Sequence, residues 1–242
     1  MNGEKIICLV AAAGRGKRFG REMPKAFHPV EGLSLLVRSL MSLNAWGGIS
    51  RFVVMVPEGW EQQAGEDLEA NIAGMEAVVK AGGETRHESV SIGLEAAGDA
   101  DIILVHDAAR PFVSPALIER VVAGVRETGA AVPALHMTDT LGRLRGEELD
   151  AIVPRDKVVG IQTPQGFRTD VLRKAFEAAA ESEQKATDES SLVLAAGMPV
   201  KVVDGERWNV KVTVKDDIEI LKSFLSGAKL DLSLDLESLD EG

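Results

Sequence analysis

The sequence of 242 residues contains one cysteine, Cys8, and therefore cannot form an intrachain disulfide. Cys8 lies in the apolar run 6–13, so it is predicted to be a small core residue and not a reactive thiol. Because proteins without disulfides are typical of reducing compartments, this single cysteine indicates a cytoplasmic protein. A zinc or iron centre is not predicted, because no metal-ligand spacing relates the four histidines, His28, His87, His106 and His136.

Long apolar runs and an excess of basic charge are also missing. No apolar run approaches the roughly 20 residues that a membrane span requires. The N-terminal apolar run lacks a small-residue cleavage site after it, so it is predicted to be a first strand and not a signal peptide. Lysine and arginine number 27 against 38 acidic residues, a net charge of −11. We therefore expect neither a membrane nor a nucleic acid as partner.

The C-terminal end is markedly acidic. Residues 227–242 hold five acidic residues against one lysine, a net charge of −4. This composition predicts a solvated, flexible tail. Alternating leucines leave a short edge strand or a docking segment open as alternatives; they are Leu230, Leu232, Leu234 and Leu236.

Short β-rich runs alternate with helical patterns along the rest of the chain. This alternation is typical of βαβ units in an α/β fold, and it predicts a doubly wound, mostly parallel sheet. Strands are predicted near 6–11, 52–56, 76–80, 101–105, 130–135, 160–162 and 200–203, with a further candidate at 211–214. Helices are predicted at 34–46, 58–71, 88–97, 115–128, 170–180, 189–196 and 216–225.

One segment interrupts this alternation. Residues 137–158 are polar, with alternating β-type residues and two glycines, where the pattern calls for another helix. They predict an extended arm or a hairpin inserted into the domain. Because no linker rich in proline or serine divides the chain, we expect a single domain over 1–226, followed by the tail 227–242.

The first predicted strand leads into a loop suited to polyphosphate. Its sequence, AAAGRGKRFG over 11–20, combines small residues, which let backbone amides approach an anion, with clustered cations. It is not a dinucleotide fingerprint, because Phe19 occupies the position of the third glycine, and it is not a Walker A loop. A tight glycine-rich turn remains the alternative interpretation.

Two further groups of polar residues follow predicted strands, where a doubly wound sheet binds its ligand. The run GGETRHES over 82–89 supplies paired glycines, donors and a helix start; a left-handed turn with an N-cap would explain its glycines but not Arg86 or Ser89. In HDAARPF over 106–112, Asp107 is a candidate for Mg²⁺ or a sugar hydroxyl. The alternative is an ion pair between Asp107 and Arg110.

An ordered set of motifs resembles the 2-C-methyl-D-erythritol 4-phosphate cytidylyltransferase family. The resemblance runs from about residue 5 to 225. Each motif alone is shared among sugar nucleotidyltransferases, but the whole ordered set is specific for this family. The motifs are Ala12-Ala13-Gly14-x-Gly16-x-Arg18, Pro24-Lys25, Gly82-Gly83, His106 to Pro111, Asp139-Thr140, Thr163-Pro164-Gln165, Thr187-Asp188-Glu189 and Asn209 to Thr213.

The resemblance implies a Rossmann-like nucleotidyltransferase of non-mevalonate isoprenoid biosynthesis. Its substrates would be CTP and 2-C-methyl-D-erythritol 4-phosphate, with Mg²⁺ bridging the triphosphate and Asp107 as a metal partner. The enzyme would be a homodimer, because the family's β-arm, here about 137–158, reaches into the partner subunit.

The resemblance also implies roles for individual residues. Arg18 and Lys25 would stabilise the transition state, while Arg155 and Lys211 would hold the acceptor phosphate in line. The residues implied for CTP are Ala12, Ala13, Gly14, Gly16, Arg18, Lys25, Gly83, Glu84 and Ser89. Those implied for methylerythritol phosphate are Asp107, Ala108, Arg110, Thr140, Arg155, Thr187 and Lys211.

Two positions depart from the family pattern. Ala26 stands where the family usually has glutamine beside the lysine, and Glu84 where it commonly has aspartate.

Three other functions are alternatives to the one that the resemblance implies. A ribitol 5-phosphate cytidylyltransferase is the nearest alternative, although Ala108-Ala109 favours the methylerythritol enzyme. A nicotinamide-dependent dehydrogenase would need the intact fingerprint, and a non-catalytic nucleotide-binding protein would be expected to lose at least one of the four cations.

Overall fold

The structure is a computed structural model that describes residues 3–14, 23–180, 188–214 and 216–225. Gly16, Arg18, Thr187 and the tail 227–242 lie outside the described residues. The strands are β1 (Ile6–Ala11), β2 (Pro29–Val30), β3 (Leu33–Ser34), β4 (Arg51–Val56), β5 (Ala77–Ala81), β6 (Ile102–Asp107), β7 (Ala130–His136), β8 (Leu141–Arg145), β9 (Glu148–Val153), β10 (Val159–Ile161), β11 (Gln165–Arg168) and β12 (Lys201–Asp204). The α-helices are α1 (Leu35–Asn44), α2 (Glu61–Asn71), α3 (Arg86–Ala97), α4 (Pro115–Thr128), α5 (Thr169–Ala180), α6 (Glu189–Ala195) and α7 (Asp216–Leu225).

The central sheet is mostly parallel, as the sequence predicts. Its order is β10-β7-β11-β6-β1-β4-β5, with β12 also paired to β7. Strands β4 and β6 flank β1 in parallel, β5 continues beside β4, and β12 runs parallel to β7. Two strands are antiparallel to their neighbours: β11, between β6 and β7, and β10, at the edge. The α/β doubly wound fold class is therefore confirmed.

The sequence prediction lacks three strands of the structure, β2, β3 and β11, and contains one that does not form. β2 and β3 have two residues each, too few to show a period. β11 was not predicted, because its four residues, QGFR, show neither alternation nor an apolar run. Its Gly166 lets α4 approach closely, since a Cβ there would lie 2.7 Å from side-chain carbons of both Val121 and Val125. The candidate strand at 211–214 is wrong: Val212 donates one backbone hydrogen bond to Ala109, at 2.9 Å, but no ladder forms.

Helices cover both faces of the sheet. Along β1, Cys8 and Val10 pack on the face covered by α1, α2 and α4, while Ile7 and Leu9 pack on the face covered by α3, α5 and α6. Cys8 is fully buried, and burial raises the pKa of its thiol far above the ordinary value. The prediction that Cys8 is an inert core residue agrees with this environment. Among the described residues, no helix is both long and apolar enough to cross a membrane.

Residues 137–158 form the predicted hairpin. β8 and β9 pair with each other in antiparallel register and, among the described residues, with no other strand. Two ion pairs hold the strands together, because Asp150 lies 2.8 Å from Arg143 and 2.7 Å from Arg145. Leu144 and Leu149 are 66% and 63% exposed. An isolated two-stranded hairpin with exposed leucines is marginal in water.

Candidate active site

A cavity of about 860 Å³ opens where β1, β5 and β6 end. This is the carboxyl edge of the sheet, where doubly wound folds bind their ligands. The cavity brings together many of the residues that the resemblance implies, although they come from segments up to about 200 positions apart. They are Ala12, Ala13, Gly14, Lys25, Gly83, Glu84, Ser89, Asp107, Ala108 and Lys211.

Small residues in this cavity are required by close packing. A Cβ on Gly82 would lie 2.4 Å from the Cβ of Ala13, and one on Gly83 would lie 2.3 Å from the Cβ of Glu88. Neither glycine has a positive φ, so the left-handed turn proposed as an alternative is not found. The N-cap in that alternative is present, since Thr85 and Glu88 form a capping box at the start of α3.

Ser89 holds the turn at Gly83 against α3. Its hydroxyl accepts a hydrogen bond from the amide of Gly83 at 3.1 Å and donates one to the carbonyl of Thr85 at 2.9 Å. The backbone of Glu84 is fixed in turn, because its amide donates to the carboxylate of Glu88 at 2.7 Å. The wall of the cavity is therefore rigid backbone that small side chains leave accessible.

Asp107 occupies the centre of the charged part of the site. Lys211 Nζ lies 2.6 Å from its Oδ2, and Arg86 Nε lies 3.1 Å from its Oδ1. Burial alone would raise the pKa of Asp107, but Arg86 and Lys211 outweigh burial and hold that pKa well below its usual range. The carboxylate is thus ionised at neutral pH. Its ion pairs among the described residues are with these two cations and not with Arg110, so the proposed Asp107–Arg110 pair is not formed.

Lys25 and Lys211 are brought together by backbone contacts. Lys25 Nζ donates to the carbonyl of Val212 at 2.8 Å, next to Lys211. Ala26, which replaces the usual glutamine, is buried at the rim of the core and lines the cavity. The described contact of Lys25 thus comes from a main-chain carbonyl, which the substitution at position 26 leaves in place.

The buried His106 is linked to the backbone of Asp107 through the hydroxyl of Thr163. The amide of Asp107 donates to Thr163 Oγ1 at 3.1 Å, and that hydroxyl lies 3.0 Å from His106 Nδ1. The carbonyl of Arg110, 3.1 Å from Nε2, can only accept, so the network assigns the ring proton to Nε2 and leaves Nδ1 to accept from the Thr163 hydroxyl. Burial lowers the pKa of His106 to about 4, so the ring is neutral.

Three residues implied by the resemblance are not brought to this cavity by the single chain. Arg110 is buried, and its Nη1 donates to the carbonyl of Asn209 at 2.7 Å. Burial lowers the pKa of its guanidinium. Thr140 and Arg155 are exposed at the base of the hairpin, where Arg155 donates to the carbonyl of Thr138. Their roles in substrate binding stay predictions.

Sequence reasoning did not assign a site role to Arg86 or Glu189. The two were nevertheless visible in motifs, Arg86 in the run that follows Gly82-Gly83 and Glu189 in Thr187-Asp188-Glu189. The signal that could have found them is charge: both are ionisable residues next to predicted helix starts on the ligand-binding edge of the sheet. Only the structure shows that they contact each other, at 2.7 and 2.8 Å.

Protein ligands for a metal are few at this site. The described ranges contain no group of three or more histidine, cysteine, aspartate or glutamate side chains placed to hold an ion. Asp107 is the ionised oxygen donor in the cavity closest to the cations. This arrangement suits Mg²⁺ bound mainly by phosphate oxygens and water, and it does not suit a metal held by the protein alone.

Known proteins similar to the chain support a common family. A family model described as 2-C-methyl-D-erythritol 4-phosphate cytidylyltransferase matches residues 6–226. The bifunctional enzyme IspD/IspF of Anaeromyxobacter dehalogenans is 43% identical over 231 residues, which cover 93% of this chain and 58% of the relative. The 2-C-methyl-D-erythritol 4-phosphate cytidylyltransferase of Deinococcus radiodurans is 40% identical over 219 residues, covering 90% of this chain and 89% of the relative. The chain thus spans little more than half the length of the bifunctional relative.

The solved structures agree with the sequence comparison. The crystal structure of 2-C-methyl-D-erythritol 4-phosphate cytidylyltransferase from Thermus thermophilus has a TM-score of 0.75 to this chain and 36% sequence identity. The match covers 90% of this chain and 98% of that structure. The likeness therefore extends over nearly the whole nucleotidyltransferase fold.

Proposed function

The chain belongs to the 2-C-methyl-D-erythritol 4-phosphate cytidylyltransferase family, and we propose that it transfers the cytidylyl group of CTP to 2-C-methyl-D-erythritol 4-phosphate. The products are 4-diphosphocytidyl-2-C-methyl-D-erythritol and pyrophosphate. The observation that carries this proposal is the cavity itself: the small-residue loop Ala12–Gly14, the Gly83 turn, Lys25, Asp107 and Lys211 converge there.

The chemistry needs little from the protein besides position and positive charge. An oxygen of the acceptor phosphate attacks the α-phosphorus of CTP, and the bond from that phosphorus to the oxygen bridging to the β-phosphate breaks. The electron pair leaves with pyrophosphate. Because the acceptor phosphate is already anionic near neutral pH, no activated serine or cysteine is required, and catalysis consists of alignment and stabilisation of developing negative charge.

The cations have separate tasks in this proposal. Lys25, with Arg18 from outside the described residues, stabilises charge at the α-phosphorus and on the leaving pyrophosphate. Lys211 receives the acceptor phosphate and is itself located by its 2.6 Å ion pair with Asp107. Arg155 joins Lys211 at the acceptor phosphate in the assembled enzyme.

Cytosine and ribose are bound through backbone groups. The close approach of Gly82 to Ala13, and the turn that Ser89 and Glu88 fix through the amides of Gly83 and Glu84, support a rigid pocket whose remaining backbone groups read hydrogen-bonding edges. Such a pocket discriminates well, because a wrong base leaves buried polar groups unpaired. Ala12, Gly14 and Ser89 complete this part of the site.

Mg²⁺ fits the site as part of a metal–nucleotide complex. When bound, it neutralises triphosphate charge and polarises the phosphoryl oxygens. Asp107 would hold it directly or through water, because the carboxylate is ionised and each of its oxygens has acceptor capacity besides its one described ion pair.

The hairpin supports a homodimer. Thr140 and Arg155 lie at its base and are absent from the cavity of their own chain. Exposed leucines on β8 and β9 offer an apolar surface for a second copy. We infer that the arm of each subunit brings Thr140 and Arg155 to the acceptor phosphate in the other subunit's site, where Arg110 and Thr187 would also serve.

Pyrophosphate release tests the proposal. The protein is supplied with Mg²⁺, CTP and either methylerythritol 4-phosphate or ribitol 5-phosphate, with Lys25→Ala as the inactive variant. Lys174→Ala is the matched control, because Lys174 is a 66% exposed lysine on α5. We expect release with methylerythritol phosphate alone, abolished in Lys25→Ala and retained in Lys174→Ala. Release with ribitol phosphate would assign the chain to the alternative acceptor, and no release with either would refute the assignment.

A further inference from the structure

Four charged side chains of alternating sign run from the protein interior to the cavity. Glu189 is 1% exposed, and its two carboxylate oxygens lie 2.7 and 2.8 Å from Arg86 Nη1. Arg86 Nε contacts one oxygen of Asp107 at 3.1 Å, and Lys211 Nζ contacts the other at 2.6 Å. Arg86 therefore divides its donors between two carboxylates, and Asp107 divides its oxygens between two cations.

The buried end of this chain of charges is held firmly. Glu189 is the first residue of α6, which begins at the N-cap Asp188. The carboxylate of Asp188 accepts from the amide of Ser191 at 2.9 Å and from the side chain of the buried Gln165 on β11 at 2.7 Å. The carboxylate of Glu189 consequently starts from a fixed helix end that is attached to the central sheet.

A role in stability alone does not account for this arrangement. A buried ion pair is costly to desolvate, and apolar residues of similar volume often serve the fold as well or better. The pair of Glu189 and Arg86 is also not sealed inside the core, because Arg86 lines the cavity and its side chain is 29% exposed. What distinguishes the pair is its connection, through Asp107, to the ammonium of Lys211.

We propose that Glu189 is a positioning residue for the transfer reaction. By retaining Arg86 Nη1, it limits Arg86 to a single contact with Asp107 and leaves the second oxygen of Asp107 to Lys211. Without the charge of Glu189, the guanidinium turns its free donors onto Asp107 and competes with Lys211. The ammonium then loses its fixed position at the acceptor phosphate. This inference rests on the proposed function for its kinetic consequence.

Glu189→Gln tests the inference with little change in shape. We expect kcat/KM for methylerythritol phosphate to fall about 10-fold or more, the usual range for loss of a charge-assisted hydrogen bond. The dissociation constant for CTP should change much less, because the backbone wall at Gly83 and Glu84 does not depend on Lys211. Glu177→Gln, an exposed glutamate on α5, is the matched control and should leave both values unchanged.

A double-mutant cycle shows whether Glu189 acts through Arg86. If it does, Arg86→Gln and the double variant Arg86→Gln/Glu189→Gln should have the same kcat/KM for the acceptor. Additive losses would overturn the proposal. Equal losses of CTP affinity and of kcat/KM for the acceptor, accompanied by a lowered melting temperature, would also overturn it. A purely structural role of Glu189 predicts that pattern. Should Glu189→Gln not fold, Glu189→Asp is the second variant: its shorter carboxylate withdraws from Arg86 Nη1 while the guanidinium stays, and the same acceptor-selective loss is expected.

A second readout separates this inference from the proposed function. The ¹⁵Nζ resonance of Lys211 reports its hydrogen bond to Asp107 without any substrate, since slow proton exchange makes a paired ammonium observable. We expect this resonance in the wild type and in Glu177→Gln and its loss in Glu189→Gln. Its persistence in Glu189→Gln would overturn the positioning role. A wild type that shows the resonance but releases no pyrophosphate would refute the proposed reaction alone.

Discussion

The end of β6 and the β8–β9 hairpin both carry ion pairs, but they carry them in different surroundings. At the end of β6, Asp107 is 7% exposed and lies between two cations at the floor of a cavity. In the hairpin, Asp150 also pairs with two cations, but Arg143 and Arg145 are 67% and 84% exposed. The same charge pattern thus holds side chains in position at the cavity in one region and pairs two solvated strands in the other.

This difference bears on the two halves of the proposed site. The residues proposed for the nucleotide lie against the core of the chain, where buried partners hold them in position. The residues proposed for the acceptor lie partly on the exposed hairpin, outside the cavity that the described residues form. Four experiments test this contrast.

The largest effect is expected at the end of β6, where Lys211 contacts Asp107. Lys211→Met removes the ammonium that Asp107 holds, and we expect turnover to fall by about 10²- to 10³-fold, as for loss of one preorganised electrostatic contact. Steady-state pyrophosphate release measures it. Lys222→Met, which removes a partly exposed lysine of α7 paired with Glu219, is the control and should retain wild-type turnover. Equal losses of turnover in both variants would mean that Lys211 acts only through the net charge of the protein, and not through the position of its ammonium.

A complementation experiment tests whether the arm serves a neighbouring site. Lys211→Met and Arg155→Met are each expected to be nearly inactive alone. When the two are mixed and allowed to exchange subunits, half of the dimers are mixed and one of the two sites in each is intact, so activity should return to about a quarter of the wild-type value. Lys211→Met mixed with the double variant Lys211→Met/Arg155→Met should restore nothing. Failure of the first mixture, with exchange verified, would place Arg155 in its own chain's site.

The buried region should also be the more sensitive to pH. His106 has a pKa of about 4 in the folded protein, below its ordinary value of 6.5, because it is buried. Between these values the unfolded chain binds a proton that the folded chain does not, so stability falls as pH falls, by about 3 kcal/mol for this group. Asp107, whose pKa is lowered, adds its own loss only below about pH 4.

Urea unfolding at a series of pH values measures the combined loss, and an NMR titration assigns it to His106. We expect the imidazole of His106 to keep its neutral chemical shifts down to about pH 5. Titration near its ordinary pKa in the folded protein would contradict the network with Thr163.

The smallest effect is expected in the hairpin. Asp150→Asn removes both ion pairs between β8 and β9, and the free energy of unfolding should fall by less than about 1 kcal/mol, because the arginines are solvated. High salt should reduce the difference further. A loss of several kcal/mol is typical of removing one partner of a buried ion pair. Such a loss would mean that the pairs of Asp150 contribute as much to stability as buried pairs do, contrary to the comparison with Asp107.

Sequence periodicity predicted most of the fold because most of the sheet obeys it. β1 and α4 have the predicted bounds, and the interruption at 137–158 is the hairpin. The short β11 was missed because four residues, one of them glycine, are too few to show a period. The candidate strand at 211–214 failed because Val212 packs against α7 and its amide donates a single hydrogen bond to Ala109, while Val214 is exposed and no ladder forms.

The candidate site was predictable wherever a motif carries its own chemistry. The loop after β1, the Gly82-Gly83 turn, Lys25 and Lys211 were identified from residue type and order, and the structure places their described parts around one cavity. Arg86 and Glu189 were not assigned because their significance is a contact between residues 103 positions apart. No local pattern reports a contact over such a separation.

Local periodicity and residue type were enough to predict the α/β class, the edge of the sheet that holds the candidate site and the cations available for phosphate chemistry. The pairing of Asp107 with Arg86 and Lys211 instead of Arg110, and the contact of Glu189 with Arg86, became visible only in the folded chain. Charge pairing inside a protein depends on distance and burial, which no local pattern reports. Both are set by how β6, α3, α6 and the segment of Lys211 pack around the end of the sheet.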